Sequence, residues 1–234
     1  MSERKRVAVV AGVGPGNGTA LAKRFAEGGY AVALLARNVS QIEGLAEEIG
    51  GKAYACDVGD PDSVSMAFGA IEVDLGPVDV LLFNAGSGVF KSVEEITPAD
   101  FEAAWRVNAY GALLCAQEVI PGMKARGSGA IIFTGATASL RGSSHTAAFA
   151  PAKAAQRSLA QSMARSLWPL GIHVALLIVD GVVDMPRTRE AMPDKDDDFF
   201  VDPAGLAETA WFVVHQNRRA WSFEVEVRPF SERW

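Results

Sequence analysis

The glycine-rich segment AGVGPGNG at residues 11–18 restricts the fold more than any other feature of this sequence. It follows a short apolar run at residues 7–11 and precedes a helical pattern that begins near Thr19. Glycine allows a tight turn, and a helix that starts there points its free N–H groups at any anion in the turn. The segment therefore predicts a strand, a phosphate-binding turn and a helix, although many loops need glycine for other reasons.

A regular alternation of apolar runs and helical patterns continues along the chain. The runs that we predict as strands lie at residues 7–11, 31–36, 52–56, 80–84, 130–134 and 172–179. The helical patterns lie at residues 19–27, 41–48, 61–73, 99–125 and 152–168. Runs that are apolar throughout are typical of parallel strands covered by helices on both faces. We therefore predict an α/β Rossmann fold, a doubly wound parallel sheet in three layers, with residues 1–234 forming one domain.

Charge and composition exclude several classes of partner. The chain carries 22 basic and 28 acidic side chains, a net charge of −6, so no basic surface for nucleic acid is expected. No stretch reaches the roughly 18 apolar residues of a membrane span, and the first apolar run is too short for a signal sequence. The two cysteines, Cys56 and Cys115, are too few for a disulfide framework. We expect a soluble, cytoplasmic protein that binds neither nucleic acid nor membrane.

The end of the second predicted strand indicates which dinucleotide would bind. The dinucleotide fingerprint places an acidic residue about 20 positions after the glycine turn, where it binds a ribose hydroxyl. The segment LARNVS has no acid there and offers Arg37 beside Asn38. Because an arginine pairs with a 2′-phosphate that a carboxylate would repel, the sequence favours NADP(H) over NAD(H). The alternative is an ordinary solvated arginine after a strand.

Several short segments match a known family in order and spacing. They are the glycine turn, Asp57 and Val58 after the third strand, the triplet NAG at residues 84–86, and Asn108 in the long fourth helix. Together they resemble the short-chain dehydrogenase/reductase family over essentially the whole chain. The resemblance implies an NAD(P)-binding oxidoreductase, and the residues that it and the turn assign to the cofactor are Gly12, Gly14, Pro15, Gly16, Asn17, Gly18, Arg37, Asn38, Asp57, Val58, Asn84, Ala85, Gly86, Lys153, Gly181 and Val183.

The resemblance breaks down at the catalytic residues. Family members carry Tyr-x-x-x-Lys, and here Lys153 is present but Phe149 occupies the tyrosine position. The family's serine, 13 positions before the tyrosine, is replaced by Ala136. Of the four catalytic residues of the family only Asn108 and Lys153 remain, so the chain resembles an atypical subgroup without the usual tyrosine. The resemblance implies that Lys153 still binds the nicotinamide ribose, and the alternative is an exposed helix lysine.

Two kinds of function stay open without that tyrosine. The nearest hydroxyls belong to Thr134, Thr137 and Ser139, and strand alternation decides which of them face the site. His145 has a side chain suited to proton transfer, although a histidine in such a loop is more often simply exposed. The first function is an NADP(H)-dependent oxidoreductase acting on a small carbonyl, alcohol or activated alkene. The second is a catalytically inactive dinucleotide-binding protein with a sensing or scaffold role.

The segment after the sixth strand is expected to meet the substrate. The sequence DGVV at residues 180–183 resembles the Pro-Gly-x-Val segment that contacts the nicotinamide amide, with Met185 where threonine is common. In the family the following residues form a mobile lid, which corresponds to 185–203 here. The mixture of prolines with an acidic run at 194–198 supports a loop, and that run lacks the spacing of a calcium loop, so we predict no metal site.

The family also implies a homo-dimer or homo-tetramer built on its long fourth and fifth helices. Apolar residues recur on those two helices here, at Phe101, Trp105, Leu113, Leu114, Leu159, Met163 and Leu167. The same residues would suit packing against the sheet, so the two interpretations stay open. A period-2 pattern at 222–227 predicts one last strand.

Overall fold

A seven-stranded parallel sheet forms the centre of the molecule. The computed structural model describes residues 4–232. The strands of the large sheet run in the order β3-β2-β1-β4-β5-β6-β9, and β7 pairs with β8 outside it. The strands are β1 Val7–Ala11, β2 Ala31–Ala36, β3 Lys52–Ala55, β4 Val78–Phe83, β5 Gly129–Ala136, β6 Ile172–Val179, β7 Val182–Val183, β8 Phe200–Val201 and β9 Glu224–Val227.

Helices connect and cover these strands. A π-helical turn, Arg106–Tyr110, joins the fourth helix to the fifth. Short 3-10 helices occupy Val39–Gln41, Thr137–Ser139, Trp168–Leu170 and Asp197–Phe199. The α-helices are α1 Asn17–Glu27, α2 Glu43–Ile49, α3 Pro61–Leu75, α4 Pro98–Trp105, α5 Gly111–Arg126, α6 Phe149–Leu167, α7 Pro186–Ala191 and α8 Pro203–Val214.

Two hydrophobic cores lie on opposite faces of the sheet. Val9 of β1 packs in the core that includes Phe68 of α3, Cys115 of α5 and Met163 of α6. Val10, the next residue, packs in the opposite core under α1 and α8. Successive side chains of a strand point to opposite faces, so both kinds of position must be apolar when both faces are covered. This explains the continuous apolar runs and confirms the predicted three-layer Rossmann fold.

The strand order of the sheet reverses between β1 and β4, and the candidate site lies at this point. β1 pairs with β2 on one side and with β4 on the other, and all these pairings are parallel. The connections leave the carboxyl ends of β1 and β4 in opposite directions, which opens a crevice at that edge. The glycine turn follows β1 and the NAG triplet follows β4, so both sequence motifs lie at this crevice.

Most predicted elements form with shifts of a few residues. The predicted helix 99–125 is a helical run from α4 to α5 that contains the π turn around Asn108. π-helical turns are rare in proteins as a whole, but many of those that occur lie at functional sites. The predicted helix 152–168 begins earlier, at Phe149, and the predicted last strand forms as β9.

Two features were not expected from the sequence, α8 and the secondary structure within the predicted lid. Asp202 caps α8 by accepting from the backbone N–H groups of Ala204 and Gly205, and Pro203 is its first residue. A cap followed by proline is a helix-start signal that was present in the sequence. The predicted lid 185–203 contains α7, a 3-10 helix and β8, while its mobility stays a prediction.

The residues considered for an oligomer interface divide between surface and core. Phe101 and Trp105 of α4 are 42% and 44% exposed. Met163 and Leu167 of α6 are buried in the core, which fits packing against the sheet. Leu113, Leu114 and Leu159 are partly buried against the same core.

Candidate active site

The glycine turn brings three backbone segments into close contact. A Cβ atom on Gly12 would lie 2.4 Å from the Ala85 Cα, and the φ of Gly12 is +89°. A Cβ on Gly18 would lie 2.8 Å from the Gly12 carbonyl oxygen. Asn84 Nδ2 donates to that same oxygen at 2.9 Å. Glycine is therefore required at 12 and 18 so that the start of α1 can pack against the ends of β1 and β4.

The outer part of the turn is open to a ligand. Apart from its two chain neighbours, no residue in the described range 4–232 has an atom within 4 Å of where a Cβ on Gly14 would be. Gly16 precedes the first residue of α1 with φ +92°, and the first turn of α1 holds no acidic residue. Asn17 Oδ1 is buried and accepts no hydrogen bond within the described part of the chain. These features suit the phosphates of a dinucleotide, because backbone N–H groups and the helix dipole attract anions there.

The residues after β2 and β3 lie at the carboxyl edge of the sheet, the edge that also carries the glycine turn. Arg37 is exposed and forms no ion pair with any residue between 4 and 232. Asn38 has a local role, because its Oδ1 accepts from the Ser40 backbone N–H at 3.2 Å and caps the 3-10 helix. Asp57 Oδ1 accepts from the Gly59 N–H at 2.9 Å, and Val58 is buried. The arrangement leaves the guanidinium of Arg37 available to a phosphate.

Lys153 lies inside the protein rather than on a helix surface. Its Nζ donates to the Thr134 carbonyl oxygen at 2.8 Å and to Gln156 Oε1 at 3.3 Å. Gln156 Nε2 donates in turn to the Asn108 carbonyl oxygen at 2.9 Å. This chain of hydrogen bonds joins α6 to β5 and to the π turn. The alternative that Lys153 is an exposed helix lysine is wrong, since only 4% of it is exposed.

Gln156 is a site residue that the sequence analysis did not identify. It is fully buried and links Lys153 to Asn108. Asn108 Nδ2 donates to the carbonyl oxygens of Ser87 and Ala104, which holds the loop after β4 against the helix. A Cβ on Gly86 would lie 3.5 Å from Asn108 Oδ1. A polar residue on the buried face of the helix, three positions after Lys153, was the available signal.

Burial gives Lys153 a measurable pH dependence. It lowers the pKa of Lys153 from 10.5 to about 7. Above pH 7 the unfolded chain therefore holds a proton that the folded chain has lost, and the free energy of unfolding rises with pH. Lys153→Met removes this contribution, so we expect a shallower rise between about pH 7 and 9 in urea titrations.

The upper limit of that range follows from the buried thiols. Burial raises the pKa of Cys56 and Cys115, so above about pH 9 they lower the free energy of unfolding as pH rises. The comparison of wild type with Lys153→Met cancels their effect. Parallel slopes for the two proteins would contradict the prediction.

The side chains of Phe149 and Phe90 form an apolar wall beside Lys153. The Phe149 ring lies with its centroid 5.9 Å from Lys153 Nζ and 5.4 Å from the Phe90 ring. Ala136, at the end of β5, has no hydroxyl to offer a substrate. The nearby Ser139 hydroxyl is used locally, because its Oγ accepts from the Ala136 backbone N–H. His145 is exposed in the loop before α6, which favours the alternative of a surface residue, and its catalytic role stays a prediction.

The segment after β6 approaches the glycine turn. Gly181 packs against Pro229, and the Val183 carbonyl oxygen accepts a hydrogen bond from Thr188 Oγ1 at 2.6 Å. Side-chain atoms of Val183 and Met185 lie 3.4 Å from where a Cβ on Gly16 would be. Val183 therefore lies beside the glycine turn with its carbonyl oxygen bonded to Thr188, whereas Gly181 packs against Pro229 and Val201.

Arg189 fastens the predicted lid. It donates to both carboxylate oxygens of Asp184 at 2.7 Å, pairs with Asp197 at 2.8 Å and lies 4.2 Å from the Phe200 ring centroid. A cleft of about 1240 Å³ lies between the glycine turn, this segment and α8. The turn and the lid therefore border one space large enough for a small organic ligand.

The fold and the site together define a Rossmann-type protein with a dinucleotide-binding crevice. A family model described as short chain dehydrogenase matches residues 6–196. The chain belongs to this family of oxidoreductases. It is 33% identical over 184 residues to the 3-oxoacyl-[acyl-carrier-protein] reductase MabA of Mycobacterium tuberculosis, an alignment that covers 79% of this chain and 72% of MabA.

Solved structures give the same result. A short-chain dehydrogenase from Rhodopseudomonas palustris is 37% identical, with a TM-score of 0.83, over 97% of this chain and all of the other. A metagenomic short-chain oxidoreductase in complex with NADP is 27% identical, with a TM-score of 0.84, over 97% of this chain and 99% of that one. Within residues 4–232, none of the helices has the length and apolar character needed to cross a bilayer.

Proposed function

We propose that this protein is an NADP(H)-dependent oxidoreductase with an incomplete catalytic tetrad, acting on a small carbonyl, alcohol or activated alkene. The observation that carries the proposal is the buried Lys153 at a crevice whose glycine turn is open to a ligand. When bound, a nicotinamide dinucleotide supplies or accepts a hydride. Residues 12–18 would bind its phosphates, Asp57 and Val58 its adenine, and Lys153 its nicotinamide ribose.

The residues at positions 149 and 136 cannot transfer a proton to or from a substrate. A phenylalanine at 149 and an alanine at 136 have no proton to exchange with a substrate oxygen. General acid–base catalysis contributes about 10²–10⁴-fold, so ordinary ketone reduction is expected to be slow. The same observation supports the second candidate, an inactive dinucleotide-binding protein with a sensing or scaffold role.

The preference for NADP(H) rests on the exposed Arg37, which has no ion-pair partner among residues 4–232. Arg37→Ala is expected to weaken NADPH binding about ten- to hundredfold, because hydrogen bonds to charged groups contribute roughly 1.5–3 kcal/mol. NADH, which lacks the 2′-phosphate, is expected to bind the variant and the wild type equally. Calorimetric titration of each nucleotide measures the effect.

A matched control separates local from general charge. Arg219→Ala removes another exposed arginine and is expected to leave both affinities unchanged. Equal loss of NADPH and NADH on Arg37→Ala would contradict the assignment of the phosphate. If neither nucleotide binds the wild type, the oxidoreductase proposal fails and the glycine turn serves only the architecture.

Assembly and location are part of the proposal. The exposed Phe101 and Trp105 of α4 support a homo-dimer or homo-tetramer through the long helices. Light scattering is expected to give a multiple of 24.8 kDa, and a monomer mass would contradict it. The two free, buried cysteines support a cytoplasmic location.

A further inference from the structure

A polar cluster lies at the carboxyl ends of three neighbouring strands. Thr137 follows β5, Asp180 follows β6 and Arg228 follows β9. These strands are adjacent in the sheet, and all their pairings are parallel. The cluster is therefore at the edge of the sheet where doubly wound folds bind their ligands.

The contacts of Asp180 orient the threonine hydroxyl. Thr137 Oγ1 donates its proton to Asp180 Oδ1. Arg228 Nη2 donates to the other oxygen, Asp180 Oδ2, at 2.5 Å, and also to Glu226. Asp180 is 6% exposed, and a buried carboxylate needs such partners. Because the hydroxyl proton is committed to Asp180, the lone pairs of the half-buried Thr137 oxygen are left to accept a proton from a ligand.

The cluster is beside the residues that the proposed function uses. Thr137 directly follows Ala136, and the Thr134 carbonyl oxygen of the same strand accepts from Lys153. The 3-10 helix that Thr137 begins packs against α6, whose first residue is Phe149. Asp180 directly precedes Gly181, at the start of the segment that reaches the glycine turn. The Thr137 hydroxyl, bonded to the Asp180 carboxylate, therefore lies close to Phe149, whose side chain cannot transfer a proton.

We propose that Thr137 is the proton-transfer residue for a hydroxyl-bearing substrate, with Asp180 as the final proton acceptor and Arg228 as the positioning residue that balances its charge. The proposal rests on the proposed function. In alcohol oxidation the substrate O–H bond breaks and its proton passes to Thr137 Oγ1. The original Thr137 proton passes to Asp180 Oδ1, and the hydride from the carbinol carbon reduces NADP⁺. The ketone or aldehyde, NADPH and protonated Asp180 result, and Asp180 then releases its proton to solvent.

The binding half of the proposal can be tested without turnover. 4-Fluorobenzyl alcohol and 4-fluorotoluene differ by one hydroxyl, and fluorine NMR titration gives the dissociation constant of each. With NADPH, which does not oxidise the alcohol, and also without nucleotide, wild type is expected to bind the alcohol roughly three- to tenfold more tightly, the effect of one net hydrogen bond. Thr137→Val is expected to abolish this preference, and Thr137→Ser to retain it.

The catalytic half is read with NADP⁺ and the same alcohol. Thr137→Val, which keeps the side-chain shape, is expected to lower kcat at least about a hundredfold with little change in KM, the usual effect of losing a proton-transfer group. Asp180→Asn is expected to do the same, since an amide cannot take the proton. The matched control is Thr209→Val on α8, whose hydroxyl donates to the Gly205 carbonyl oxygen of the same helix.

The possible results separate the two proposals. A wild type that binds both probes equally, or binds neither, overturns the role of Thr137. So does an alcohol preference or a kcat that Thr137→Val leaves unchanged, or one that Thr209→Val reduces equally. An alcohol preference that persists when no nucleotide binds would support the Thr137 site and reject the oxidoreductase function.

Discussion

Adding back both missing hydroxyls, as Ala136→Ser with Phe149→Tyr, is expected to raise NADPH-dependent reduction of a small ketone about 10²–10⁴-fold. The reason is that the rest of the arrangement is in place. Lys153 Nζ lies 5.9 Å from the centroid of the Phe149 ring, so below about pH 7, where Lys153 is protonated, a phenol there would have a cation nearby that favours its ionised form. Steady-state rates with ethyl acetoacetate measure the gain.

Two comparisons make this prediction specific. Phe149→Tyr alone is expected to give part of the gain, since the serine adds a second hydrogen bond to the substrate oxygen. The double variant combined with Lys153→Met is expected to lose most of it, because the phenol then has no neighbouring cation. No gain with this ketone would show that the apolar wall is not a reductase site that has merely lost its hydroxyls.

Gly12→Ala is expected to lower the free energy of unfolding by about 3–5 kcal/mol, from strain at a positive φ together with overpacking. The added Cβ would lie 2.4 Å from the Ala85 Cα and 2.5 Å from the Ala85 N. Both are backbone atoms, so no side-chain rotation relieves the contact. For a domain whose total stability is about 5–15 kcal/mol, this loss leaves a large unfolded fraction.

Gly14→Ala is the matched control for this effect. It lies in the same turn, but within the described part of the chain no residue other than its two neighbours comes within 4 Å of the new Cβ, and its φ is not positive. Its free energy of unfolding in urea is therefore expected to stay within about 0.5 kcal/mol of wild type. Equal destabilisation by the two variants would contradict the close packing of Gly12 against the end of β4.

The fold could be predicted from local sequence patterns because those patterns indicate which residues are buried. Continuous apolar runs such as that of β6 are typical of strands that helices cover on both faces, so they predicted both the strand and its neighbours. The glycine turn was predictable for a similar reason, since the positive φ of Gly12 and Gly16 is a local property of the backbone. The helix α8 was missed although its cap, Asp202, and Pro203 were visible in the sequence.

The candidate site likewise contains residues that were expected from the sequence and one that was not. Lys153 and Asn108 were identified through the resemblance to the short-chain dehydrogenase/reductase family, whereas Gln156, which joins them, was not. The sequence places Gln156 on α6 but does not state that the Asn108 carbonyl oxygen, 48 positions earlier, is its partner. A hydrogen bond between distant positions depends on how α6 packs against the π turn, and no short-range periodicity encodes that packing.

The sequence by itself therefore determined the three-layer sheet and the glycine turn. Only the tertiary structure decided that Lys153 is buried and that Thr137 meets Asp180, 43 positions later, and Arg228 beyond it. The physical reason is the sheet order. β5, β6 and β9 become neighbours through long connections, so the side chains that follow them meet at one edge although nothing in their local sequence relates them.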